Sequence, residues 1–178
     1  MSGIRKEYET HGVRGYYEQH GSEYRNPHEA SVARALAAGA RAWAPDLSRV
    51  LDLACGSGEV TLTLRALGAV VIDGVDPYTG RAYQARTGQS AEPFSFEAVA
   101  AGALAGRAYS LIVCSYALHL LQPSRLPQLA YQLSQLAPAL LVLSPHKRPH
   151  LRPAWGWALS GETVVERVRA RHYRSAFK

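Results

Sequence analysis

The sequence predicts an α/β domain: a doubly wound, mostly parallel sheet with helices on both faces. Two observations carry this. Short apolar runs alternate with amphipathic stretches along the chain, and the runs are apolar throughout rather than at every other residue. A strand buried on both faces reads that way, and parallel strands joined by helices are buried on both faces.

Taken in order, Asn26-Pro27 leads into HEASVARALAAGARAW, whose Ala, Val and Leu recur at helical spacing with proline near the first turn. RVLDLAC is a short buried strand, followed by the helix-like GEVTLTLRAL, which Gly68 closes. AVVIDGVDP is a second strand ending in acid and proline, and YTGRAYQARTG a short helix with a glycine stop. PFSFEAV is expected to form a third, weaker strand and YSLIVCSYA a strong fourth. PSRLPQLAYQLSQLA is helical, and PALLVLSP is a fifth strand. No repeat, low-complexity tract or Gly/Ser/Pro linker divides the 178 residues, so one domain is expected across 1–178. Within it, 1–25 would form an N-terminal segment, 26–145 the core and 146–178 the C-terminal strands.

Composition excludes several classes. No run approaches the roughly 18 apolar residues of a membrane span, and MSGIRKEYETHG lacks the apolar core of a signal peptide, so a cytoplasmic location is expected. Two cysteines, Cys55 and Cys114, argue against a disulfide scaffold or zinc module and are expected to be inert small hydrophobes. His11, His20 and His28, spaced nine and eight apart, lack the local pairing of a metal site, so no metal is expected. The net charge of +6 comes almost wholly from arginine. Arg167, Arg169 and Arg171 would share one face of a strand, either as the solvated face of an edge strand or as a nucleic-acid stripe.

In such sheets, ligands sit at the carboxyl ends of the strands. The first strand ends in VLDLACGSGEV, a glycine-rich turn open to three readings. A phosphate loop needs a lysine beside the last glycine, and none lies near Gly58. A dinucleotide loop wants a third small residue where Thr61 stands, and Asp52 is a poor neighbour for a pyrophosphate. An acid there suits a ligand carrying an amine or sulfonium. Asp76, about 20 residues past the glycines at the end of the second strand, can accept ribose hydroxyls.

With these residues in view, the chain resembles class I S-adenosylmethionine-dependent methyltransferases. VLDLACGSG and GVDPY carry the likeness, with YSLIVCSYALHLL next, over about Val50 to Pro145. The resemblance implies a Rossmann-like, mostly parallel seven-stranded sheet, S-adenosyl-L-methionine as cofactor and S-adenosyl-L-homocysteine as product. It further implies that Asp52, Ala54, Gly56 and Gly58 line the methionine and ribose part, and that Asp76, beside Pro77, holds the ribose diol. Glu97 would meet the adenine amine, although Ala98 stands where an aspartate would be equally plausible. Cys114, Ser115 and Tyr116 would border the sulfonium. Ala54 replaces a glycine and Ser110 an aspartate of many family members.

YYEQHGSEY is similar to the tyrosine-rich lead-in of many small-molecule methyltransferases, which makes Tyr17 and Tyr24 the expected lid residues. Aromatic faces also stabilise cations. On the acceptor side, His119 after the fourth strand and His146 in LSPHKRPH are the candidate bases, with Tyr17 the third candidate for the catalytic centre. The [DNS]-P-P-[YFW] motif of amino-directed nucleic-acid enzymes is missing, since the chain reads CSYA there, and no Pro-Cys nucleophile is present. The expected partner is therefore a small-molecule acceptor methylated at oxygen or nitrogen. RNA methylation through the arginine-rich end is the second reading, and a non-catalytic cofactor-binding subunit the third.

Overall fold

The structure, a computed structural model, describes residue 15 and residues 20–178. Six strands form one mixed sheet: β1 Arg49–Leu53, β2 Val71–Val75, β3 Leu111–Ser115, β4 Ala139–Ser144, β5 Trp157–Val165 and β6 Val168–Ser175. Their order is β2-β1-β3-β4-β6-β5. The first four strands run parallel, with Val50 opposite both Ile72 and Leu111, and β6 and β5 are antiparallel additions beyond β4.

Each parallel strand is apolar on both faces because each face is covered. Leu51, Leu53, Ile112, Cys114, Leu140 and Val142 pack in one core with Leu129 and Leu133. Their neighbours Val50, Leu111, Val113, Leu141 and Leu143 pack in the other with Val32, Leu36, Val60 and Leu64. The covering helices are α1 Glu29–Trp43, α2 Glu59–Ala66, α3 Gly80–Thr87, α4 Phe96–Ala100 and α5 Leu126–Leu136. Before α1, the Asn26 side chain accepts the His28 amide, a local turn that delays the helix past Pro27. Cys55 and Cys114 are buried free thiols, and burial pushes both well above the usual thiol range.

The structure corrects two expectations. PFSFEAV forms no strand. Ser95 accepts the Ala98 amide and caps α4, and the one bridge near it, Val75 to Glu92, lies just before the stretch. Among the described residues the sheet thus has six strands rather than seven, and it is mixed. The arginine stripe is not on an edge either, because β6 lies between β4 and β5. Arg167 belongs to the turn before β6, with φ 71°, while Arg169 and Arg171 both bond Glu162 on β5. Among the described residues, no helix is long and apolar enough to cross a membrane.

Candidate active site

The chain leaves β1 through a turn that only a nearly bare backbone can make. Ala54, Gly56 and Gly58 have φ of 58°, 54° and 89°. A Cβ at Gly58 would stand 2.4 Å from the Thr87 side chain, so the glycine allows α2 to start against α3. A Cβ at Gly56 would project toward the Tyr24 ring, 3.5 Å away, and the Glu59 carboxylate.

The loop after β2 is locked to this turn by one carboxylate. Asp76 Oδ1 accepts the amides of Tyr78 and Thr79 at 2.9 and 3.0 Å, and Oδ2 accepts the Gly56 amide at 3.3 Å. Thr79 Oγ1 donates back to the Gly56 carbonyl at 2.7 Å. Three backbone N–H groups hold Asp76 in place; Oδ1 is taken by two of them, and Oδ2 keeps a further lone pair for a ligand hydroxyl.

Around these loops, at the carboxyl ends of β1, β2 and β3, lies a cavity of about 660 Å³. Tyr24, Ala54, Gly56, Asp76, Pro77 and Glu97 line it, as do Ser115 and Tyr116 at the end of β3. Eight of the ten expected cofactor residues therefore converge. Tyr116 takes the left-handed region at φ 54°, a conformation that non-glycine residues hold only where the surroundings impose it. Its amide bonds the Leu143 carbonyl and its ring stacks on His28 at 5.4 Å.

Asp52 and Gly58 do not line the cavity. Asp52 is buried under the glycine turn, where Thr61 Oγ1 donates to Oδ2 at 2.7 Å and Oδ1 has no partner. Burial pushes its carboxyl up to about 7; the Thr61 bond opposes this, and the nearby charges of Glu59 and Asp76 add to it. Asp52 thus lies beneath the turn rather than in the cavity lining, with Oδ2 bonded to Thr61. Thr61 itself, which disfavours a dinucleotide loop, sits 2.9 Å from the Tyr83 hydroxyl and has a structural task.

His119 and His146 do not line the cavity, but they meet each other edge to face, with ring centroids 4.5 Å apart. His119 lies in the turn Leu118–Leu120, between the lining residues Ala117 and Leu120. Burial, with His146 adding, drives its imidazole down to about 4, so it is neutral at physiological pH, and its Nδ1 is buried without a partner. Tyr17 lies outside the described residues. Among those described, no group of three or more His, Cys, Asp or Glu could hold a metal ion.

Sequence reasoning missed Glu59 and Asn26, and the wall of Phe94, Phe96, Leu120 and Leu121. Glu59 is buried, accepts Asn26 Nδ2 at 2.9 Å and Ser57 Oγ at 3.2 Å, and so ties the start of α1 to the glycine turn. An acid directly after the last glycine was the available signal.

Residues 23–178 match the family model of a methyltransferase domain. An uncharacterized protein of Schizosaccharomyces pombe is 33% identical over 219 aligned residues, covering 92% of this chain and 89% of that one. Magnesium protoporphyrin IX methyltransferase from Synechocystis PCC 6803, solved with bound SAM, superposes with a TM-score of 0.61 at 18% identity, covering 97% of this chain and 96% of that one. The N-methyltransferase NodS from Bradyrhizobium japonicum, solved with S-adenosyl-L-homocysteine, gives 0.63 at 17% identity, covering 85% and 89%. The chain belongs to the methyltransferase domain family and has the class I S-adenosylmethionine-dependent methyltransferase fold.

Proposed function

We propose that this chain transfers a methyl group from S-adenosyl-L-methionine to oxygen or nitrogen of a small-molecule acceptor. The observation that carries the reading is Asp76. Its carboxylate is fixed by three backbone amides on the wall of a 660 Å³ cavity, beside a glycine turn whose missing Cβ leaves room for a ligand. The residues present fit the cofactor. In this reading Asp76 Oδ2 accepts a ribose hydroxyl, Glu97 accepts the adenine amine, and Glu59 with the rings of Tyr24 and Tyr116 surrounds a cationic methionine end. The SAM and S-adenosyl-L-homocysteine bound in the two neighbours support this assignment.

When bound, the cofactor supplies an electrophilic methyl group on a sulfonium. The chain's own task is to hold the acceptor in line with it and keep water out. An acceptor that carries a proton needs a base. His119, neutral and with a free Nδ1 beside the cavity wall, is the candidate, and His146 packs against it. Tyr17 remains a proposed lid residue on sequence grounds.

The RNA reading gains no specific observation: Arg171 is buried and Arg169 is bonded to Glu162. Incubating the purified chain with labelled S-adenosyl-L-methionine and a fractionated small-molecule extract tests the proposal. Label moving into a small-molecule fraction supports it. Label moving only into RNA, or no turnover by the chain alone, favours the second or third reading.

A further inference from the structure

β6 buries a guanidinium away from the cavity. Arg171 is 1% exposed, and a buried charge costs several kcal/mol unless it is matched on all sides. Its match comes from two directions. Nε donates to Glu162 Oε2 at 2.6 Å on β5. The other nitrogens reach the loop that leaves β4: Nη2 donates to the carbonyls of Lys147 at 2.8 Å and His146 at 3.3 Å, and Nη1 to Pro149 at 3.5 Å. One side chain thus gathers three carbonyls of a four-residue span. The one other hydrogen bond described for that span runs from the His146 amide to Ser144 Oγ at 3.1 Å.

If β6 needed only to stabilise the sheet, an apolar residue of similar volume would serve as well or better. A guanidinium has a rigid fork of donors that can hold a carboxylate and several carbonyls at once, and a lysine has not. What the fork holds is the backbone that carries His146, whose ring rests 4.5 Å from His119. The cations Lys147 and Arg148 lie in the span itself. Glu162 is shared with Arg169, and the His150 imidazole is lowered by burial and by Arg171.

We propose that Arg171 is a positioning residue for the acceptor side: it clamps the loop after β4 and keeps His146 against His119. This rests on the reading that the acceptor approaches at the carboxyl ends of β3 and β4. Removing the clamp frees the loop and separates the two rings while leaving the cofactor half untouched.

The test uses the full chain with isotope-labelled histidine and three variants. In R171M, the side-chain resonances of His119 and His146 are expected to shift and their ring-to-ring NOE to vanish, with S-adenosyl-L-methionine affinity kept within about twofold. R171K keeps the charge without the fork and is expected to lose the same NOE; it decides the matter if R171M does not fold. E162Q leaves the three carbonyl bonds in place and is expected to keep it. A folded R171M or R171K that retains the NOE overturns the proposal. So does an E162Q that loses it as completely, because the arginine would then serve the β5–β6 hairpin. In the turnover assay, R171K is expected to lower kcat about ten- to hundredfold with KM for S-adenosyl-L-methionine unchanged; an unchanged kcat with the rings apart overturns the link to acceptor chemistry. Failure of the wild-type chain to bind S-adenosyl-L-methionine would instead sink the cofactor reading.

Discussion

The loops that leave β1 and β4 are held by opposite means. The β1 loop is held by several groups at once: three left-handed residues, the Asp76 carboxylate on three amides and the Thr79 hydroxyl on a carbonyl. The β4 loop is held by one arginine of an antiparallel strand. The first arrangement is redundant, whereas the second hangs on a single side chain. Where the proposed cofactor binds, the backbone itself is the scaffold.

If the glycine half is built by backbone, its largest vulnerability is steric. Gly58→Ala places a Cβ 2.4 Å from Thr87 at φ 89° and is expected to cost about 2–5 kcal/mol in chemical denaturation. A loss under about 0.5 kcal/mol would mean that α2 and α3 can part freely there.

Asp76→Ala removes charge-assisted bonds to three amides and to the proposed ribose hydroxyl. A ten- to hundredfold weaker S-adenosyl-L-methionine affinity is expected, from about 1.5–3 kcal/mol for bonds to a charged group. Circular dichroism should confirm that the sheet persists. His119→Ala, by contrast, should leave cofactor affinity unchanged and lower turnover only, and an affinity loss equal to that of Asp76→Ala would erase the distinction between the two halves.

The buried acids and bases sharpen the comparison through pH. Asp52 has its carboxyl raised to about 7, so its neutral form is favoured in the folded state. Its contribution to stability is present below about pH 4 and is lost as pH rises toward and through 7. Asp52→Asn should flatten the stability profile over that window. His119 is lowered to about 4, so the folded state resists its protonation, and stability falls as pH drops from about 6.5 toward 4. His119→Gln should flatten that acid limb, by a smaller amount because the ring is only half-buried. Denaturation midpoints measured across pH 4–8 for both variants test the two signs.

The same contrast explains what could be read from the sequence. The four parallel strands, the glycine turn and Asp76 were legible because each shows as a local pattern of apolarity, backbone freedom or spacing. PFSFEAV misleads because two phenylalanines and a valine suit a strand, while one serine hydroxyl suffices to cap a helix instead. Asp52 was found, but its bond to Thr61 was not, because that contact depends on how α2 lies on β1. The C-terminal arginines are the sharpest case. Their alternation correctly placed Arg169 and Arg171 on a strand, and nothing local says that the strand is interior, faces Glu162 and reaches the β4 loop. Burial of a charge is a property of the finished sheet.

The central claim is that the cavity above the glycine turn is a cofactor site, and calorimetric titration of the wild-type chain with S-adenosyl-L-methionine tests it most directly. The account predicts saturable one-to-one binding that S-adenosyl-L-homocysteine competes away and that Asp76→Ala weakens. No heat of binding from a folded chain, or equal affinity in wild type and Asp76→Ala, would contradict it.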